Sequence, residues 1–427
     1  MRIRITPERR QWLMLVAIPI VTLFGTGVAT LHNGYLGYHR GDLRYYYHAS
    51  TALLKGMTPY RDFEFAYPPL SLVPFLLPHL AALFGLSGFA GYIRAFLSES
   101  CLWSLGIVLL LSRLTSRWKF PLSQEIALGC YAALVLIFSA LLPWRYDLFP
   151  ALLTLAAFYS LLKEKPCAAG VWLGLGVAAK LYPVVLLPVF GLYLYTLGRR
   201  KDFMRLMIGS ISAVTFSLLP FMRIPLSTLM SFLTFHERRG LEVESLGAGV
   251  LMIAHHYGWT NAKIVTNYGA CNLSSASAPA LIHSLPLIFI ILLSVTLVGS
   301  WRAFRQDITR CGHIEPETLA RFTMAALLAF IAANKVFSTS YVIWLLPFAP
   351  LLRPREAIQM LILFAVTIMI YPFNFGELLN FHPFGIWLLN LRNLFLLILF
   401  FQLARPIRNY QILPERVQAT QRLANVL

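Results

Sequence analysis

Runs without a single Asp, Glu, Lys or Arg recur along this 427-residue chain, at 184–197, 281–299 and 357–370 among others. They constrain the fold more than any motif does. Apolar runs of this length keep away from water by spanning lipid, where every backbone N–H and C=O must pair within its own segment, and that selects the α-helix. The composition agrees, with 58% of residues hydrophobic and 13% charged, against about 25% charged in an average soluble domain. A soluble enzyme, a disordered chain and a disulfide scaffold are excluded. So is an outer-membrane barrel, whose strands alternate polar and apolar residues over about ten positions. Five cysteines at 101, 130, 167, 271 and 311 offer neither a disulfide framework nor metal-ligand spacing.

The apolar runs predict an all-α polytopic membrane protein, a single integral membrane unit over 1–427. About twelve spans are expected, near 11–31, 89–111, 122–142, 147–162, 167–180, 182–197, 203–222, 279–300, 318–334, 340–352, 357–373 and 384–404. Arg2, Arg4, Arg9 and Arg10 precede an apolar stretch longer than a signal-peptide core, so that stretch is expected to stay as the first helix. The formal net charge of +18 reads as a topology signal rather than a nucleic-acid footprint. With the N-terminus cytoplasmic, the clusters Arg113/Arg117/Lys119, Lys163/Lys165, Arg199/Arg200/Lys201, Arg302/Arg305/Arg310, Arg353/Arg355 and the Arg405–Arg422 tail all fall inside, and both termini are cytoplasmic. Residues 70–84 are apolar enough to span, but counting them would move Arg113, Arg117 and Lys119 to the other side. They are therefore assigned to juxtamembrane helix at the outer leaflet, broken by Pro74 and Pro78. Two long outer loops result, 32–88 and 223–278, and chemistry is expected there.

The first loop carries Gly41-Asp42-Leu43-Arg44-Tyr45-Tyr46-Tyr47-His48, then Tyr60-Arg61-Asp62-Phe63-Glu64 and Tyr67-Pro68-Pro69-Leu70. An ionised Asp beside Tyr and His can serve as a general base toward a hydroxyl; alternatively Asp42 pairs with Arg40 or Arg44 as a helix-start acid. Lys180 and Lys335 end two short spans, where a cation complements the helix dipole and either holds an anionic headgroup or snorkels to phospholipid. In the second loop, the adjacent Arg238 and Arg239 suit a phosphate with their forked donors, and His236 adds another, unless Glu237, Glu242 and Glu244 satisfy both arginines. Arg392, about 12 Å below the start of its span, is expected to face a carboxylate or phosphate inside the bundle. Arg145 with Asp147, and Arg94 with Glu99, are expected to be structural ion pairs. No Gly-x-x-x-x-Gly-Lys, His-Glu-x-x-His or Asp-x-Asp motif supports a nucleotide or metal site, and no cofactor is expected.

These residues resemble glycosyltransferase family 87, within the C-superfamily (GT-C) of polyprenyl-phosphate-dependent glycosyltransferases, a family that includes a mycobacterial mannosyltransferase of phosphatidylinositol mannoside synthesis. The marks are Asp42-Leu43-x-x-Tyr46, Gly56-x-x-Pro59-Tyr60, Tyr67-Pro68-Pro69-Leu70, Arg145-Tyr146-Asp147-Leu148, Ala179-Lys180-Leu181-Tyr182-Pro183, Arg239-Gly240-Leu241-x-x-Glu244-Ser245, Lys335-Val336-Phe337-Ser338-x-x-Tyr341 and Leu391-Arg392-Asn393. The resemblance implies a GT-C type fold with its active site at the outer surface of a bacterial inner membrane. It also implies an Asp of the first outer loop as base, by motif Asp42, with Asp62 and Glu64 fitting less well.

The mechanism expected from this is an inverting, metal-independent transfer of a hexose, with mannose the better-known donor sugar, from a polyprenyl phosphate to a lipid or glycan acceptor. Lys180, Lys335, Arg238, Arg239 and Arg392 are the candidate cations for the donor phosphate, on which charge grows as the bond breaks. Tyr46, Tyr60, Asp62, Tyr67, His236 and Glu244 are the candidates for the sugar and acceptor pocket. Two competing readings are a transporter or lipid flippase, which would place its ionisable groups near the midplane, and a glycan ligase or polymerase using a lipid diphosphate. Membrane lipids are expected as partners and nucleic acid is not.

Overall fold

The computed structural model describes residues 7–32 and 40–406. Arg2, Arg4 and the basic tail beyond 406 lie outside the described residues. Most of the apolar runs form helices close to the expected limits. Six are long and apolar enough to cross a membrane: Trp12–Leu31, Gly88–Arg117, Arg200–Phe221, Ala278–Cys311, Pro354–Phe373 and Pro383–Leu403. Shorter apolar helices, among them Gln124–Ile137, Leu148–Leu162 and Pro166–Ala179, are packed between them, so the count of twelve crossings is not reproduced by length and apolarity alone. The segment expected to span at 340–352 is not an α-helix. It is a pair of 3₁₀ stretches, Thr339–Leu345 and Ala349–Leu351, buried almost throughout.

Local chemistry explains where the helices start and how closely they pack. Pro occupies the opening turn of the helices Pro166–Ala179, Pro316–Ala332, Pro354–Ile368 and Pro383–Leu403, where its fixed φ suits the helix and its missing N–H is not needed. Pro166–Ala179 and Arg200–Leu218 approach backbone to backbone. A Cβ on Gly170 would sit 2.1 Å from the Leu206 carbonyl oxygen, and one on Gly209 would sit 2.3 Å from that of Cys167. Small residues at such crossings let helices associate by close contact, which lipid does not otherwise drive.

One face of the bundle carries the elaborate connections. After the Arg40–Leu54 helix, residues 69–84 run as short turns, Pro69–Ser71, Leu72–Leu76 and Leu77–Phe84, that never extend into a span. Leu80, Leu83 and Phe84 project outward from them. This loop shares an aromatic core with Trp144, Tyr146, Phe221 and Phe232. The second loop contains an element that the apolar pattern does not announce, a three-stranded antiparallel sheet in the order β1-β3-β2, with β1 Leu241–Glu242, β2 Ala262–Asn267 and β3 Ala270–Ser275. The Leu246–His256 helix buries Ala248, Leu251 and Met252 against Ile386 and Leu389. Asn390 Nδ2 donates to the Gly249 carbonyl at 3.1 Å.

Candidate active site

Four connections of that face, 40–67, 145–147, 236–244 and 335–341, bring their charged residues together. Asp42 lies in the first turn of the Arg40–Leu54 helix, where a carboxylate is favoured by the helix dipole. Its ion-pair partner is Arg145 rather than Arg44. The Arg145 side chain is 9% exposed and that of Asp42 40%. Arg145 precedes the Leu148–Leu162 helix in extended backbone, whereas Asp147 has already turned helical. That change of direction separates the two side chains, and the expected Arg145–Asp147 pair does not form.

Asp147 instead receives Lys180. Lys180 Nζ donates to Asp147 Oδ1 at 2.6 Å, and Trp344 Nε1 donates to the same oxygen at 2.7 Å. The ammonium is enclosed by aromatic faces, 4.9 Å from the Tyr146 centroid, 5.3 Å from Trp344 and 5.5 Å from Tyr341. A lysine ending its helix against a carboxylate and three rings is held in place, with Arg145 and Arg239 within Coulombic reach.

The segment 241–245 is buried and carries two carboxylates, Glu242 and Glu244. Glu242 N–H donates to the Lys335 carbonyl at 2.9 Å, and Lys335 Nζ donates to the Glu237 carbonyl at 2.7 Å. Thr339 Oγ1 donates to Glu244 Oε1. Burial raises the pKa of both carboxylates, while Arg239 opposes the shift at Glu242 and Arg392 at Glu244. Arg392 is fully buried. It donates to the Glu244 carbonyl and, at 3.0 Å, to Asn393 Oδ1, with its guanidinium 3.8 Å over the Phe337 ring. The residue expected to meet a donor phosphate thus lies behind the segment 241–245 and braces it.

Arg239 is the centre of the cluster. Its charge reaches Lys180, His236, Lys335, Glu242, Tyr67 and Tyr341. Its nearest acid is Glu242, at a loose 3.5 Å, and its Nε is buried without a hydrogen-bond partner. Arg238, its neighbour, is exposed. Adjacent residues at a helix end diverge, so only one of the two arginines enters the cluster. His236 hydrogen-bonds to the Ala66 backbone, joining the two loops, and burial together with the surrounding cations pushes it down to about 4.

The remaining expected residues fall into two groups. Tyr67 is half-buried beside Tyr146, with ring centroids 5.2 Å apart, and within reach of Arg239. Tyr46, stacked on Phe75 at 4.3 Å, and Tyr60, whose hydroxyl donates to the Tyr67 carbonyl at 2.7 Å, are buried supports of the loop. Asp62 stands apart. It closes a local turn, accepting from Thr58 N–H at 2.7 Å and from Arg61 Nε at 2.8 Å, and these donors hold its carboxyl well below the usual range. Arg94 is exposed while Glu99 is buried against Trp103 Nε1. Five residues apart on a helix, they point to different sides, and among the described residues they form no ion pair. The pairing of Arg145 with Asp42 and the parts played by Trp344, Thr339 and Tyr341 were not foreseen from the sequence. The signal present was charge at the lips of apolar spans, where ionisable groups are expensive and mark function.

Fold and cluster together define a helical integral membrane protein whose ionisable groups gather on one loop-rich face around a half-exposed aspartate. The chain belongs to glycosyltransferase family 87, whose family profile matches residues 65–332. The matched region holds Tyr67, Arg145, Asp147, Lys180, His236, Arg239 and Glu244, while Asp42, Lys335 and Arg392 lie outside it. Among solved structures it is similar to the Archaeoglobus fulgidus oligosaccharyltransferase in its apo form, at 13% identity and a TM-score of 0.46, over 92% of this chain and 55% of that one. The same enzyme tethered to an acceptor peptide containing an NVT sequon matches at 13% identity and a TM-score of 0.43, over 92% and 54%. This chain therefore spans about half the length of those structures. Among curated proteins, none matches.

Proposed function

We propose that this chain moves a hexose, mannose in the first instance, from a polyprenyl-phosphate donor to a lipid-linked or glycan acceptor at the extracytoplasmic face of a bacterial inner membrane. The reaction is an inverting, metal-independent displacement. Asp42 takes the proton of the acceptor hydroxyl, the oxygen attacks the anomeric carbon, and the polyprenyl phosphate leaves from the opposite side. Negative charge grows on the phosphate as the bond breaks, so cations fixed beforehand lower the barrier more than they tighten the ground state.

The observation that carries this reading is the loosely matched Arg239 in the same cluster as Asp42, linked through Arg145 and Lys180. Arg239 and Lys335 are assigned to the donor phosphate, with Arg238 at the exposed rim. Lys180 and Arg392, already neutralised or buried, hold the surrounding segments. Tyr67 and His236, neutral at physiological pH, line the sugar pocket. A lipid donor also explains why cations and aromatic rings sit where the span ends meet the loops.

The experiment supplies the full chain in proteoliposomes with polyprenyl-phosphate mannose labelled in the sugar and a crude bacterial lipid acceptor. Label appearing in a new lipid or glycan product is the expected result. Label merely crossing the bilayer would favour a flippase, and neither outcome with a competent donor would remove the proposal.

A further inference from the structure

The ion pair between Asp42 and Arg145 joins the proposed base to a cation of the cluster, and it is lopsided. Arg145 is fixed between two buried aromatic residues, Trp144 and Tyr146, while Asp42 keeps 40% of its side chain exposed on a helix end. Only one edge of the guanidinium is used. Nη1 meets Asp42, whereas Nε is buried with no hydrogen-bond partner. Lys180 and Glu244 both lie within Coulombic reach of Arg145, so an anion entering beside Arg239 and Lys180 comes under its charge as well. A guanidinium fork matches a phosphate through two parallel hydrogen bonds to its two unesterified oxygens.

We propose that Arg145 is a positioning residue that holds Asp42 while the site is empty and exchanges it for the singly charged phosphodiester of the incoming sugar donor. The carboxylate then becomes available to the acceptor hydroxyl only after the donor has arrived. No covalent bond changes in this step; one guanidinium swaps one anion for another. The consequence is an order of events. A base freed by the donor phosphate does not act on an acceptor that arrives alone. This inference rests on the assignment of Asp42 as base, but its test does not depend on sugar transfer.

The test measures how fast Asp42 is esterified by a diazo-type carboxyl reagent, in excess over all phosphate, read by mass spectrometry on the full chain in lipid nanodiscs. Four arms are compared: no addition, decaprenyl phosphate, decaprenol and inorganic phosphate. Asp42 is expected to label slowly alone and with decaprenol, and severalfold faster with a phosphate monoester. The two phosphate arms tell a lipid headgroup from the free anion. Arg145→Gln should label fast in every arm, and Arg145→Lys should restore part of the dependence. Equal labelling across all wild-type arms, or slower labelling with decaprenyl phosphate, overturns the exchange. The wild-type arms decide even if Arg145→Gln fails to fold. Faster labelling without any sugar transfer in the proteoliposome assay would leave the exchange standing and remove the glycosyl-transfer reading instead.

Discussion

Buried charges occur at both ends of the bundle and obey different rules. At the plain end, the cations drawn into the bundle face carboxylates. Arg321 pairs with Glu356 and donates to the Gln402 carbonyl at 3.0 Å; Arg353 pairs with Glu317; Arg199 and Arg205 share Asp202 at 2.6 and 2.8 Å. A pocket there is lined by Asp307, Glu315 and Glu317 and by Arg310, Arg321 and Arg353, three acids beside three bases. The Arg321–Glu356 and Arg353–Glu317 pairs tie neighbouring helices together. At the loop-rich end, Lys335 and Arg392 reach backbone carbonyls and Arg239 meets its acid only loosely. Completed pairs hold helices in register, while cations left short of acids hold a place for an anion from outside. The second arrangement is costly in a protein that gains nothing from it, because a buried unmatched charge destabilises the fold.

Substitutions at the two ends should therefore fail differently. The largest effect is expected at the loop-rich end: Asp42→Asn should lower transfer about 10³-fold, the size of a lost general base, while decaprenyl phosphate, read by fluorescence quenching, still binds, and more tightly than to wild type because Arg145 no longer has a carboxylate to give up. Arg321→Gln at the plain end should do the reverse. Removing one partner of a buried pair costs about 3–5 kcal/mol, seen as a lower thermal midpoint in detergent, with transfer per folded molecule little changed. Arg239→Gln should reduce kcat by about 10²-fold, as for a lost transition-state donor, with the midpoint hardly moved. If Arg239→Gln proved mainly unstable and Arg321→Gln mainly inactive, the comparison would be broken.

A smaller effect follows from His236. Its folded value of about 4 lies below the ordinary value near 6.5, so on acidification the unfolded chain takes up a proton first. Stability is complete well above about pH 6.5 and declines toward pH 4, by about 2 kcal/mol at pH 5. His236→Asn should flatten that part of a plot of thermal midpoint against pH. The smallest effect is expected for Asp62→Asn, which should leave transfer within about twofold, because an exposed pair between neighbours contributes little.

Much of the fold was legible because lipid allows so few backbone solutions. A run such as 281–299 admits only a helix, and the Ala278–Cys311 helix contains it. The hairpin was harder to read. Its strands are short and polar, and the two-residue turn Tyr268-Gly269, both with positive φ, lacks the usual Asn-Gly signature for such a turn. At Thr339–Leu351 the apolar pattern was clear, but the 3₁₀ geometry follows from packing that the sequence does not reveal. Within the site, residue types were readable and pairings were not. Lys180, His236, Arg239 and Asp42 stood out as charges at span ends. That Asp42 meets Arg145, and Asp147 meets Lys180 and Trp344, depends on how distant segments stack. Spacing alone favoured the nearer pairs, Arg145 with Asp147 and Arg238 with Arg239, and there the direction of the backbone decided otherwise.

The most direct test of the central claim is the configuration at the anomeric carbon of the product, determined by NMR after transfer from a polyprenyl-phosphate mannose of known anomeric configuration. A hydroxyl activated by Asp42 and attacking opposite the leaving phosphate gives a product of inverted configuration. A product with the donor's configuration retained would mean that a protein group attacks first, and would contradict a role for Asp42 as the base of a single displacement.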